Sequence, residues 1–416
     1  MTKISLITIG NELLKGTIIN TNAARAGTML RESGFHLGRV VTIADQAEDI
    51  QQTVEQEFGH SEVILMSGGL GPTQDDITKQ TLKESFGGGG YVLHEPTLAH
   101  LRERYRKRGR ALNELTEQQA MVPDVCEVVR NELGTAPGML FRRGEKMLIS
   151  MPGVPFEMLH MLQNEVIPLL QRERSPNAFL REVVRITGVP ESEAAQRMEA
   201  LEKEAPFPPE IEVAYLPRVD GLWLEIATQL PIEQKNIAAE LASTTSDRVY
   251  RQFQKEAYTR TTKDLALIVQ EAFMEKGLTL AVAESMTGGM VAAKLVSISG
   301  ASRYFKGGVT AYFTEVKSKV LGVSPEIIEK YGVVSEAVAQ SMAEGVRQLM
   351  GADVGLAITG RAEPAENLPA EAWLGYATAK KSMTKHIDFL YRRNVNIERA
   401  SNILLLTGLA NIRSDF

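Results

Sequence analysis

The sequence is poor in the residues that mark secreted, zinc-stapled and membrane-embedded chains. A single cysteine, Cys126, stands in 416 residues, so no internal disulfide can form and a reducing compartment is expected. Six histidines (His36, His60, His94, His100, His160 and His386) are scattered without a His-x-x-x-His pair, which argues against a zinc site of common spacing. No apolar run reaches the length of a bilayer-crossing helix. The opening segment Lys3 to Ile9 is short and strand-like, unlike a signal peptide. Basic residues do not dominate either: the formal charge is −6, which disfavours a nucleic-acid or anionic-membrane partner. These absences together predict a cytoplasmic protein. What is present is ordinary for a globular chain, 44% apolar and 24% charged. At this length two or three domains are expected.

The most informative stretch is Ser67-Gly68-Gly69-Leu70-Gly71-Pro72-Thr73-Gln74-Asp75-Asp76, directly after the apolar run Val63-Ile64-Leu65-Met66. The run reads as a buried strand ending at a turn, where glycines let backbone N–H groups come close to a ligand. Thr73 and Asp76 fit a capping box that opens a helix. A strand feeding a helix through a glycine loop is an anion site. Two adjacent acids there would repel a bare phosphate, so a divalent cation is the chemical inference. The alternative is that both acids only cap the helix and complement its dipole.

Upstream, Ile4–Ile9 and Val40–Ile43 read as strands, with helices over 23–33 and 47–58. This alternation predicts a parallel α/β sheet with ligands at the carboxyl ends of the strands. Glu12, Asp45, Asp75 and Asp76 all fall at such ends, which favours the metal–phosphate reading. The basic run Arg102–Arg110 reads as a solvated helix face, with reach to a phosphate as its other use. Further on, Asn131-Glu132-Leu133-Gly134-Thr135-Ala136-Pro137-Gly138 forms another loop, and the strand Met147–Met151 meets Pro152-Gly153-Val154-Pro155-Phe156-Glu157. Glu157 there reads as a first-turn helix acid, with the site as its other destination.

Prolines between 168 and 176 mark a boundary, and a small αβ unit without a catalytic constellation follows. Residues 255–262 read as a second linker. The last part has a helix over 264–276, a strand over 279–283 and the loop Glu284-Ser285-Met286-Thr287-Gly288-Gly289. Ser285 at such a turn lies beside N–H groups that would form an oxyanion hole. A serine needs a base, and with no histidine near, Lys317 is the candidate if its pKa is lowered. The plainer readings are an N-cap serine and a surface lysine. Ser382-Met383-Thr384-Lys385 spells Ser-x-x-Lys but lacks partner motifs and reads as coincidence.

The motifs GNELLKGTIINTN, SGGLGPTQDDITK, NELGTAPGM and MPGVPFEM, in this order, resemble the N-terminal half of the CinA (competence/damage-inducible) family. AESMTGG, GASRYFKGGVTAY, GVVSEAVA and the strand ending in ITG resemble the family's carboxyl-terminal deamidase domain. The resemblance implies a molybdopterin-binding-like parallel-sheet domain over 1–170, a small α+β (KH-type) linking domain over 178–252, and an α/β deamidase-like domain over 259–416. It implies small-molecule nucleotide substrates, a homodimer, and metal-dependent hydrolysis of ADP-ribose to AMP and ribose 5-phosphate. Glu12, Asp75 and Asp76 would hold the divalent cation, with Asp76 also catalytic. Gly68, Gly69, Gly71 and Thr73 would cradle phosphate, joined in nucleotide binding by Asn11, Asn22 and Arg399. A pterin- or nucleotide-binding module without turnover is the rival reading. In the last domain the resemblance implies amide hydrolysis of nicotinamide mononucleotide by Ser285, with Lys317 as base and Tyr312 nearby.

Departures from the family pattern fall in that last domain. Met286 stands where cysteine is usual, and Phe313 and Thr314 replace a polar pair. Arg361-Ala362-Glu363-Pro364-Ala365-Glu366-Asn367 replaces a glycine-rich loop, and Asn394 and Val395 replace a Gly-Asp-Arg. Fewer glycines and added acids there predict weak or absent deamidation.

Overall fold

The structure is a computed structural model that describes residues 2–71, 73, 76–365 and 368–415. The chain forms two compact units. One comprises Met1–Arg181, Pro208–Ile211 and Ala227–Ala242; the other comprises Glu182–Phe207, Glu212–Ile226 and Ser243–Phe416.

The sheet of the first unit contains β1 (Lys3–Ile9), β2 (His36–Ile43) and β3 (Val63–Ser67). After a separate two-stranded antiparallel pair of β4 (Tyr91–Leu93) and β5 (Met121–Pro123), it continues with β6 (Glu127–Val129), β7 (Gly138–Arg143) and β8 (Lys146–Met151). Strand order is β2-β1-β3-β8-β7-β6, with β2, β1, β3 and β8 parallel and β7 and β6 antiparallel at the edge. The period of two decides which face each residue takes. Val63 and Leu65 join Leu6, Ile149 and helix residues Ala26, Leu30 and Met158. Ile64 and Met66 turn the other way to Ile7, Leu148, Val54 and Phe58. Both faces are covered, as a buried parallel sheet requires.

A four-stranded sheet follows in the order β10-β11-β9-β12, from β9 (Asn177–Ile186), β10 (Ile211–Arg218), β11 (Gly221–Pro231) and β12 (Ala257–Thr259). The segment read as a polar linker, 255–262, therefore contains a strand, since Tyr258 is buried there and its hydroxyl meets Arg185 at 2.8 Å.

The third sheet consists of β13 (Leu280–Glu284), β14 (Phe305–Thr310), β15 (Val354–Arg361), β16 (Glu371–Ala377) and β17 (Ser382–Asp388), in the order β14-β13-β15-β16-β17. The first three strands are parallel and the last two antiparallel. One face packs Leu280, Val282, Leu356 and Ile358 against the helices Leu265–Glu275 and Arg393–Asp415. The other face carries Ala281, Ala283 and Ala357, so the helix Glu336–Met350 can lie close. Among the described residues, no helix is long and apolar enough to cross a membrane.

Candidate functional site

Two cavities sit at the carboxyl ends of the parallel strands, one in each unit. In the first unit, β1, β3 and β8 end level with one another, because Thr8 pairs with Ser67 and Ser67 with Met151. Asn22, one residue into the helix Thr21–Glu32, stitches these ends together. Its Nδ2 donates to Ser67 Oγ at 3.1 Å and to the Gly153 carbonyl at 2.8 Å. Its Oδ1 is buried without a hydrogen-bond partner among the described residues, and the residue lines the cavity, which leaves an acceptor that a ligand donor could satisfy. Gly68 and Gly69 turn the chain at φ of 124° and 65°, a region costly for other residues. A Cβ on Gly69 would run into Thr78 Oγ1, and one on Gly71 into the Asp76 carboxylate.

The resulting cavity is about 560 Å³, within the range of small-molecule sites. Glu12, Asp45, Asp76 and Glu157 line it, and no lysine or arginine does among the described residues. Glu157 belongs to the first turn of the helix Pro155–Met161 and also lines the cavity, so its two sequence readings coincide. It is held by Asn131 Nδ2 at 2.8 Å, and Asn131 Oδ1 accepts from the Leu133 and Gly134 N–H groups. The Asn-Glu-Leu-Gly loop is thus folded around one buried amide.

Several sequence expectations change here. The helix after the glycine loop begins at Thr78, not after Thr73. Asp76 still closes back on Thr73, accepting from its N–H at 3.0 Å and from its hydroxyl. Thr73 is therefore occupied with Asp76 and does not line the cavity. Asn11 is exposed on the one-turn helix Asn11–Leu14, which turns Glu12 and Leu13 toward the cavity instead. Gly68, Gly69, Gly71, Asn22, Glu12 and Asp76 do line it. Asp75 lies outside the described residues. The basic helix Glu95–Lys107 is solvated as read: Glu103 pairs with Arg106 and Lys107, and Arg102 with Glu117.

In the second unit, Ser285 follows the last residue of β13 and faces a cavity of about 280 Å³. Lys317 reaches it from the helix Thr314–Leu321. Its ammonium nitrogen is wholly buried, 3.1 Å from Ser285 Oγ and 2.6 Å from the Ala311 carbonyl. Burial pushes the Lys317 pKa down to about 8, because low dielectric disfavours the charged form. The surface-lysine and N-cap readings are both excluded by this geometry.

The oxyanion hole differs from expectation. Glu284, fully buried, accepts from the N–H groups of Gly289, Val291 and Ala292 at 2.8–3.1 Å, so this chain's own carboxylate closes the following helix. The Ser285 N–H goes to the Ile358 carbonyl. Arg399 also changes role: it lies over the Tyr391 ring, 4.9 Å from its centroid, and is not among the cavity's lining residues. A further cation at the cavity is Arg393, which sequence reading missed. It donates to Tyr312 Oη at 2.9 Å and to Glu363 at 3.1 Å. Tyr312 lines the cavity, largely exposed. Arg361 lines it too, with its guanidinium held by Glu371 and the Pro369 carbonyl.

These observations define a two-site α/β chain, with an acidic cavity at the end of a parallel-rich sheet and a buried serine–lysine pair at the end of another. Residues 5–172 match the family described as "Probable molybdopterin binding domain", and residues 262–409 match the CinA C-terminal domain. A CinA-like protein of Flavobacterium psychrophilum is 35% identical over 413 residues, covering 96% of each chain. One from Gemmatimonas aurantiaca is 38% identical over 373 residues, covering 88% of this chain and 85% of its own. The solved CinA structure from Thermoplasma acidophilum, described as of unknown function, is 34% identical, with 41% of this chain and 97% of that chain covered and a TM-score of 0.36. The chain belongs to the CinA-like family.

Proposed function

We propose that the first cavity hydrolyses a nucleotide diphosphate of the ADP-ribose type, releasing AMP and ribose 5-phosphate, with a divalent cation bound. The observation that carries this reading is the cavity's donor set: among the described residues, four carboxylates line it with glycine backbone and no basic side chain. A diphosphate cannot enter such a lining without cations to offset the charge. Glu12 and Asp76 would be the cation's carboxylate donors, each lying against a glycine (Gly10 and Gly71) that leaves room beside it. Among the described residues no three of the cavity's acids bring donor atoms within 4.8 Å of one another, so the cation would have to draw them together. When bound, the cation would polarise the diphosphate and lower the pKa of attacking water. Gly68, Gly69 and Gly71 keep the wall thin enough for phosphate oxygens to approach, and Asn22 Oδ1 accepts from a ligand hydroxyl or amine. The experiment is AMP release from ADP-ribose by the full chain, with and without added divalent metal. Metal-dependent release that Asp76→Asn removes supports the reading. Binding of the nucleotide without release would favour the non-catalytic module.

The Ser285–Lys317 geometry favours a second activity, amide hydrolysis of a pyridine nucleotide such as nicotinamide mononucleotide. Neutral Lys317 takes the Ser285 hydroxyl proton as Oγ bonds the carboxamide carbon. The proton then leaves with ammonia as the C–N bond breaks, and water cleaves the resulting ester. Arg393 supplies the positive charge for the substrate phosphate. Glu363 and Ala365 stand where a glycine loop would bring backbone closer, so the rate is expected to be low. Ammonia release by the wild type, absent in Ser285→Ala, tests it.

A further inference from the structure

The outer strands of the third sheet carry a cluster that neither proposed reaction uses. In the β16–β17 ladder Glu371 stands opposite Asp388, and Trp373 opposite His386. Paired positions point to one side of a sheet, so all four side chains share a face. Two carboxylates directly opposite one another are destabilising unless a cation lies between them. The imidazole occupies that place: His386 Nε2 is 2.7 Å from Glu371 Oε2 and 3.9 Å from Asp388 Oδ1. The three donor atoms all lie within 4.8 Å of one another. Trp373 packs on the ring with centroids 4.8 Å apart, which limits its rotation.

We propose that Glu371, His386 and Asp388 form a site for a borderline divalent transition-metal ion, of which Zn²⁺ is the type. One imidazole nitrogen with two carboxylate oxygens suits such an ion better than Mg²⁺ or Ca²⁺, which prefer all-oxygen shells. Tetrahedral donors about 2.1 Å from zinc lie about 3.4 Å apart, between the two separations to His386. Small side-chain rotations on a fixed two-strand scaffold therefore bring the donors to one ion, with the fourth position left to water. The sequence hides the site because one ligand comes from β16 and two, spaced His-x-Asp, from β17. Glu371 uses Oε2 toward the ion and keeps Oε1 on Arg361, so an ion here also steadies an arginine of the Ser285 cavity.

The test is titration of the full chain with Co²⁺, read as quenching of Trp373 fluorescence, with Zn²⁺ as competitor. Saturable quenching that Zn²⁺ reverses is expected in the wild type. His386→Gln should abolish it and Asp388→Asn should weaken it at least tenfold. Trp373→Phe should lose the optical signal but keep one Zn²⁺ binding event by calorimetry. Glu12→Gln and Asp76→Asn should leave the quenching unchanged, which separates this site from the acidic cavity. Quenching that never saturates, or an equal affinity in the wild type and His386→Gln, would overturn the proposal.

Discussion

In the first unit a glycine loop at the end of β3 brings Asp76 to a cavity walled by carboxylates. In the second a glycine loop at the end of β13 brings Ser285 to a buried amine. The local plan is shared: a buried parallel strand, a turn with positive φ, then a helix. The difference lies in what happens at the helix start. In the second unit Glu284 occupies three N–H groups at the helix start, so the helix N-terminus is filled by the chain's own carboxylate and the loop presents a hydroxyl. In the first the helix starts late, at Thr78, and the intervening loop supplies an acid. On the proposed readings, one cavity imports its positive charge while the other carries its base within the chain. A glycine loop at a strand end therefore marks where a site lies, while the neighbouring side chains decide its chemistry.

The largest expected effect is at the second cavity. Ser285→Ala should lower ammonia release on the order of 10³-fold or more, since no other described group is placed to attack. The same change should leave AMP release from ADP-ribose within twofold, measured on one preparation by chromatography. A matching loss of both products would break the comparison.

Next come the acids of the first cavity. Asp76→Asn and Glu12→Gln should each lower metal-dependent AMP release by roughly 10²-fold, the scale of removing several kcal/mol of transition-state stabilisation. Ammonia release should not change. Calorimetry on the same variants should show weaker metal binding. Undiminished hydrolysis in the double variant would remove the cation from the account.

A smaller effect is expected at Gly69. Gly69→Val places a branched side chain at positive φ and against Thr78, costing about 1–3 kcal/mol in urea unfolding. ADP-ribose affinity should fall about tenfold by calorimetry. Unchanged affinity would place the phosphate elsewhere.

The smallest effect concerns stability and pH. The folded pKa of Lys317, about 8, lies below its ordinary 10.5. Between these values the unfolded chain binds more protons, so stability rises with pH across that window. At pH 7 burial of the charged amine destabilises the fold. Lys317→Met should therefore stabilise by about 1–2 kcal/mol at pH 7, and the gain should vanish toward pH 10. Amide hydrolysis should rise as pH passes about 8. Thermal melts of both proteins at several pH values check the first claim, and a pH–rate profile the second.

Much of this was legible from residues alone. The apolar run Val63–Met66 marked a buried strand, the succession of strands and helices a parallel sheet, and the glycine loops placed both cavities. The short strands β4 to β7 were not legible, because three-residue strands carry too little alternation and β7 follows a loop built on Asn131. The start of the helix at Thr78 was missed because Thr73 and Asp76 make a capping contact that does not open a helix. Glu284 had a signal: an acid ending a buried strand just before a helix N-terminus complements its dipole. Arg393 had none. It stands beside Asn394 and Val395, which read as the loss of a family arginine, and only the fold brings it to Tyr312 and Glu363.

The central claim is that one chain holds a cation-requiring diphosphate hydrolase and a serine–lysine amidohydrolase that needs none. The direct measurement is simultaneous assay of AMP release from ADP-ribose and ammonia release from nicotinamide mononucleotide, before and after treatment with a chelator. The account predicts that the first activity disappears and returns on adding divalent metal, while the second stays within about twofold. Survival of AMP release in the metal-free protein, or loss of both activities together, would contradict it.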